Sequence, residues 1–144
     1  MRPPAWRLSA DAYPVSFGLQ TRYRDQDILA HVNNTAIAGY YDEGREMFMR
    51  QVFARVTDPV RPRIVTAEIR ASFLGEVFHP DTVTLAAGVL KIGTSSFEIG
   101  QALFQGGRCV GLGGAVFVQA DEHGASPLGP GLRAALEGLR AKEG

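Results

Sequence analysis

Asp25, Asp27, His31, Asn33 and Asn34 crowd into one stretch of ten residues. A carboxylate can act as a nucleophile or as a general base toward water. An imidazole titrates near neutrality and could also serve as a base. Asn is a good helix N-cap, because its side-chain oxygen accepts a backbone N–H left free in the first turn. A helix is therefore expected to start at Asn33 or Asn34. Such a start offers unpaired backbone N–H groups, with the positive end of the helix dipole behind them. Local sequence leaves two readings of Asp27 open: a turn or capping carboxylate in water, or a reacting one. For His31 the alternative to a base is a ring that hydrogen-bonds and fixes the loop.

The neighbouring elements must position this cluster. Residues 13–23 alternate, with Tyr13, Val15, Phe17, Leu19, Thr21 and Tyr23 on one face, which predicts a half-buried strand. After the polar stretch 24–33, Ile37, Tyr40, Tyr41, Gly44, Met47, Phe48 and Val52 recur every three or four residues. That spacing predicts a buried helix ending near Phe53. Asp58-Pro59 and Arg61-Pro62 break it off. From Arg63 the period changes to two, and four strands follow. They are separated by turns at His79-Pro80-Asp81, Gly93-Thr94-Ser95 and Gly106-Gly107. Leu132, Leu136 and Leu139 predict a short amphipathic helix or tail over 130–144.

Turns this short leave no room for helices between strands, which excludes a doubly wound parallel fold. One helix and one antiparallel sheet must bury their apolar faces on each other. We expect an α+β fold, a curved antiparallel sheet wrapped around one long central helix. It would be a single domain over 1–144, with its core in 13–120.

Composition narrows the class. The 144 residues are 45% hydrophobic and 21% charged, with 15 basic and 15 acidic side chains. There is no basic excess for nucleic acid or an anionic membrane. The single Cys109 permits no internal disulfide. The N-terminus lacks the apolar core of a signal peptide, and no stretch approaches the ~20 apolar residues of a spanning helix. These features predict a cytoplasmic protein. Three separated histidines and no Cys-x-x-Cys predict no metal site. No Gly-x-Gly-x-x-Gly precedes a helix. Cys109 reads as a small buried residue, and His79 and His123 as turn residues.

Thr21-Arg-Tyr-Arg-Asp-Gln-Asp-Ile-Leu-Ala-His-Val-Asn-Asn34, followed by Tyr40-Tyr-Asp-Glu-Gly-Arg45, resembles the 4-hydroxybenzoyl-CoA thioesterase family of hotdog proteins. Lys91-Ile-Gly-Thr-Ser-Ser96 resembles the hairpin of that family. The resemblance implies a hotdog fold and acyl-CoA thioesterase activity. It implies Asp27 as the catalytic carboxylate, and dimers or tetramers with sites between subunits. His31, Asn33 and Asn34 match its helix start, while the bulky Ile28 and Leu29 depart from the small residues usual there.

Thioester hydrolysis needs a nucleophile or activated water, a polarised carbonyl and a stabilised oxyanion. Asp27 would supply the first, and amides around Asn33 and Asn34 the rest. We therefore expect Asp27, Asn34 and His31 to be catalytic. Asn33, Ile28, Tyr41, Gly93, Thr94 and Ser95 are expected to contact substrate. That substrate would be a coenzyme A or acyl carrier protein thioester, with no separate cofactor. Arg61, Arg63, Arg70, Lys91 and Arg108 could meet its phosphates. Two other readings stay open. One is a hotdog enoyl-CoA hydratase, which would use Asp27 with His31 four residues on. The other is an acyl-thioester-binding protein without catalysis.

Overall fold

The computed structural model describes residues 2–143. Five long strands form one antiparallel sheet in the order β1-β3-β4-β5-β2. They are β1 (Val15–Leu19), β2 (Ile64–Phe73), β3 (Val83–Ile92), β4 (Ser96–Gln105) and β5 (Arg108–Asp121). A two-residue strand, β6 (Gly124–Ala125), pairs with the end of β5. Helix α1 (Asn34–Ala54) lies on the concave face, and the shorter α2 (Pro130–Glu137) packs beside it. This is the hotdog architecture.

Alternation decides which side chains meet α1. Leu85, Ala87, Val89, Ile99, Ala115 and Phe117 project inward onto Phe48 and Val52 of α1, or onto neighbouring core residues. Gly111 and Gly113 share that inward face, and both lie against Tyr41. A Cβ on Gly113 would come within 2.8 Å of the Tyr41 ring. These glycines leave room for the Tyr41 ring between α1 and β5. Asp58 caps α2 from outside it, accepting from the N–H groups of Gly131 and Leu132 at 2.9 Å each.

The structure departs from the plain sequence pattern in three places. The first strand is Val15–Leu19, not 13–23. Thr21 leaves the ladder because its hydroxyl donates to the Asp81 carbonyl at 2.9 Å, and Tyr23 enters a 3-10 turn, Tyr23–Asp25, and is exposed. Residues before 13 pack on the sheet as well. Ala5–Leu8 and Ala10–Ala12 are 3-10 turns, and Trp6, Ala12 and Tyr13 cover the convex face over Ala86, Ala102 and Leu112. Finally, β2 alternates but has no buried face. Its Ile69 and Phe73 lie on the concave side yet stay 55% and 49% exposed. The helix sits over β1 and β3 rather than over this edge.

Candidate active site

The polar cluster falls where β1 leads into α1. Asp25 ends the 3-10 turn and is only 4% exposed. Its carboxylate accepts from the Arg22 guanidinium at 3.0 Å, from the Arg22 N–H at 3.1 Å and from the Tyr40 hydroxyl at 2.6 Å. Burial alone would raise its pKa. The hydrogen bonds from Arg22 and Tyr40 outweigh that and hold the carboxyl below the usual aspartate range. Burial, and then the Asp25 carboxylate, push the Tyr40 phenol well up, so it stays a donor.

Beyond Asp25 the chain closes a small loop. Gln26 and Val32 form an antiparallel bridge, and the Asp27 N–H donates to the His31 carbonyl at 3.0 Å. Ala30 closes the turn in the left-handed region, at φ 65°. That conformation is uncommon for a residue with a Cβ and marks a tightly constrained loop. The Asp27 Oδ1 accepts from the Leu29 N–H at 2.8 Å. Its Oδ2 lies 3.6 Å from His31 Nδ1, and His31 Nε2 lies 4.0 Å from Glu76 Oε1. Both separations are too long for hydrogen bonds. The segment after β2 is stitched to the same loop, since the Val32 N–H donates to the Val77 carbonyl at 2.7 Å.

The helix start is built as the sequence predicts, with one refinement. Asn33 is the N-cap, and its Oδ1 accepts from the Ala36 N–H at 2.8 Å. The Asn33 N–H is already taken by the Asp25 carbonyl at 2.9 Å. Asn33 is therefore not a free backbone donor. Among the described residues, the amides of Asn34 and Thr35 donate to no protein group. Thr35 was missed because a backbone donor leaves no trace in residue type. Counting the first-turn N–H groups against the cap would have found it. Asn33, Thr35 and Ala36 also line a groove of about 820 Å³, together with Arg22, Asp25 and Tyr40.

The remaining expected contacts are scattered. Ile28 is fully exposed and Leu29 is 70% exposed, both at the loop tip beside Asp27. Tyr41 points into the core and is 1% exposed, so within one chain it offers no surface to a substrate. Gly93, Thr94 and Ser95 form the β3–β4 hairpin, where the Gly93 N–H donates to the Ser96 carbonyl at 2.7 Å. Strand β3 begins beside the end of β1 and runs ten residues before reaching that hairpin. At about 3.3 Å per residue, the hairpin is roughly 30 Å from the Asp27 loop. One chain therefore does not bring the two together.

Arg61, Arg63 and Lys91 belong to the same far end. Arg61 stacks over the Phe53 ring, 4.8 Å from its centroid. Arg70 pairs with Glu98 at 2.8 Å. Arg108 sits at the β4–β5 turn, on the Asp27 end of the sheet. Cys109 donates to the Gly111 carbonyl, and burial pushes its thiol up, away from the thiolate. Among the described residues, no three His, Cys, Asp or Glu side chains are grouped to hold a metal. No helix among them is long and apolar enough to cross a membrane.

The family model of the thioesterase-like superfamily matches residues 21–136. The chain belongs to that superfamily. No curated protein matches. Solved structures share the fold. A predicted thioesterase from Bacillus stearothermophilus superposes with a TM-score of 0.77 at 21% identity, covering 90% of this chain and 98% of that one. A thioesterase from Thermus thermophilus, complexed with coenzyme A and Zn, gives 0.77 at 23% identity, covering 90% and 96%. A thioesterase superfamily protein from Jannaschia sp. CCS1 gives 0.74 at 24% identity, covering 90% and 86%.

Proposed function

We propose that this chain is an acyl-CoA thioesterase of the 4-hydroxybenzoyl-CoA thioesterase branch, with Asp27 as its catalytic carboxylate. One observation carries the reading. The loop that holds Asp27 leads directly into a helix start with two unpaired amides, at Asn34 and Thr35. Asp27 Oδ1 is held by its own turn, while Oδ2 has no hydrogen-bond donor among the described residues.

In one route Oδ2 attacks the thioester carbonyl. The C–S bond breaks, the thiolate leaves and takes a proton, and water then hydrolyses the acyl–aspartyl anhydride. In the other, Asp27 takes a proton from water as the water attacks the carbonyl, the C–S bond then breaks to release the acid, and the leaving thiolate takes a proton. Either way negative charge develops on the carbonyl oxygen. Oriented N–H groups at a helix N-terminus stabilise that charge more than they stabilise the ground state. His31 supports the loop and sets the field at Oδ2. Ile28 meets the apolar part of the substrate.

The unpaired β2 edge and its uncovered Ile69 and Phe73 support a homodimer or homotetramer. In such an assembly Gly93, Thr94 and Ser95 would reach the substrate of a neighbouring subunit, since their own Asp27 is too far. Coenzyme A bound to the Thermus thermophilus relative supports a CoA thioester as substrate. An acyl carrier protein thioester presents the same reacting group.

The test is free-thiol release from a panel of acyl-CoAs, by the native protein and by Asp27→Asn. Loss of release in the variant is the expected result. Release that survives the substitution would sink the assignment. The Asp27–His31 separation of 3.6 Å also suits a hydratase, and hydration of crotonyl-CoA without thiol release would favour it. Binding without turnover would favour a non-catalytic acyl-thioester protein.

A further inference from the structure

Asp25 has no part in the chemistry just described, yet it is more deeply buried than Asp27 and has more hydrogen-bond partners. Its side chain joins two elements. Arg22 is the N-cap of the 3-10 turn that Asp25 ends, and Tyr40 lies seven residues into α1, so the side chain ties that turn to the helix. Its main chain reaches the start of the same helix and leads into the Asp27 loop. The Asp25 carbonyl accepts from Asn33, the residue that caps α1, and Asp27 follows two positions later. The loop carrying Asp27 thus has a base of two contacts, Asp25 with Asn33 and Gln26 with Val32, and the clamp ties that base to the flank of the helix.

We propose that Asp25 is a positioning residue, whose clamp by Tyr40 and Arg22 sets the placement of Asp27 relative to the free amides of Asn34 and Thr35. The proposal rests on the reading of Asp27 as the reacting carboxylate. The physical need is clear from the geometry. Nucleophile and oxyanion donors sit on different pieces of backbone, a loop and a helix. They act together only if held to within a fraction of an ångström. A buried carboxylate held within its own turn by Arg22 and from the helix by Tyr40 is a stiff link, because moving the helix away takes a hydrogen bond from a charge shielded from water. An exposed turn aspartate would impose no such penalty.

The experiment uses the full chain, as Tyr40→Phe, Asp25→Asn and the double variant. Each is assayed with an acyl-CoA that the native protein hydrolyses, well below every melting temperature. We expect kcat to fall about 10- to 100-fold in Tyr40→Phe, with KM within about twofold of native. The double variant should lose no more than the worse single one, because both break the same clamp. A clamp that only stabilises the fold predicts a lower melting temperature with native kcat, and that result would overturn the proposal. Tyr40→Phe removes one hydroxyl and keeps the ring, so it carries the test alone if Asp25→Asn fails to fold. A native chain that releases no thiol overturns the reading of Asp27, and this inference with it. An active native chain with an unaffected Tyr40→Phe overturns the clamp alone.

Discussion

Asp27 and Asp25 are two residues apart, and their surroundings divide them. Asp27 keeps one oxygen free of donors, as a reacting group requires, and Asp25 has none to spare. For Asp27→Asn we predict a fall in kcat of about 100-fold or more, read by thiol release, because the amide is neither a nucleophile nor a base. Asp25 gives a prediction in pH. Its pKa is lowered on folding, so its contribution to stability is present above the ordinary aspartate value of about 3.9. That contribution is lost as pH falls through the lower folded value. Asp25→Asn should therefore be less stable than native at neutral pH, and the gap should narrow in acid. Urea melts between pH 7 and pH 3 would show it, and a gap constant with pH would refute it. Both aspartates stand out in the sequence. Their division of labour does not, because it depends on Tyr40, fifteen positions away along the chain.

Helix α1 is the element that organises the site, and its cap is a local matter. Asn33→Ala should cost about 0.5–2 kcal/mol in a denaturant melt, the usual loss for an N-cap. It should also free the Ala36 N–H and loosen the two amides ahead of it, so activity should fall as well. The other contact to test is Tyr41 against Gly111 and Gly113. The Tyr41 hydroxyl is buried and, among the described residues, is the one buried side-chain polar atom without a partner. Tyr41→Phe should leave stability unchanged or raise it, since it removes an unsatisfied polar group. Gly113→Ala should lower stability by about 1–3 kcal/mol, because its Cβ would overlap the Tyr41 ring. The helix bounds were legible because capping and a period near 3.6 are short-range signals. The direction of Tyr41 was not, because it depends on two glycines about seventy residues away.

At the scale of the molecule, β2 is an edge of ten residues with apolar side chains in water on the face that α1 leaves bare. An edge of this kind pairs with another chain unless it is protected. We predict a native oligomer by analytical ultracentrifugation, and dissociation by Ile69→Lys, which puts a charge on that face. A native monomer at micromolar concentration would count against the assembly. The sequence alone determined one long helix against an antiparallel sheet, the helix start at Asn33 and Asn34, and the stretch that holds the polar cluster. Those features rest on alternation, helical spacing, capping and turn residues, all of which act between near neighbours. Only the tertiary structure decided that Asp25 is buried beside Tyr40, that Asn33 has spent its N–H, and that the Gly93 hairpin lies at the opposite end of the sheet. Strand length and the packing of α1 set those distances, and both are sums over the whole chain.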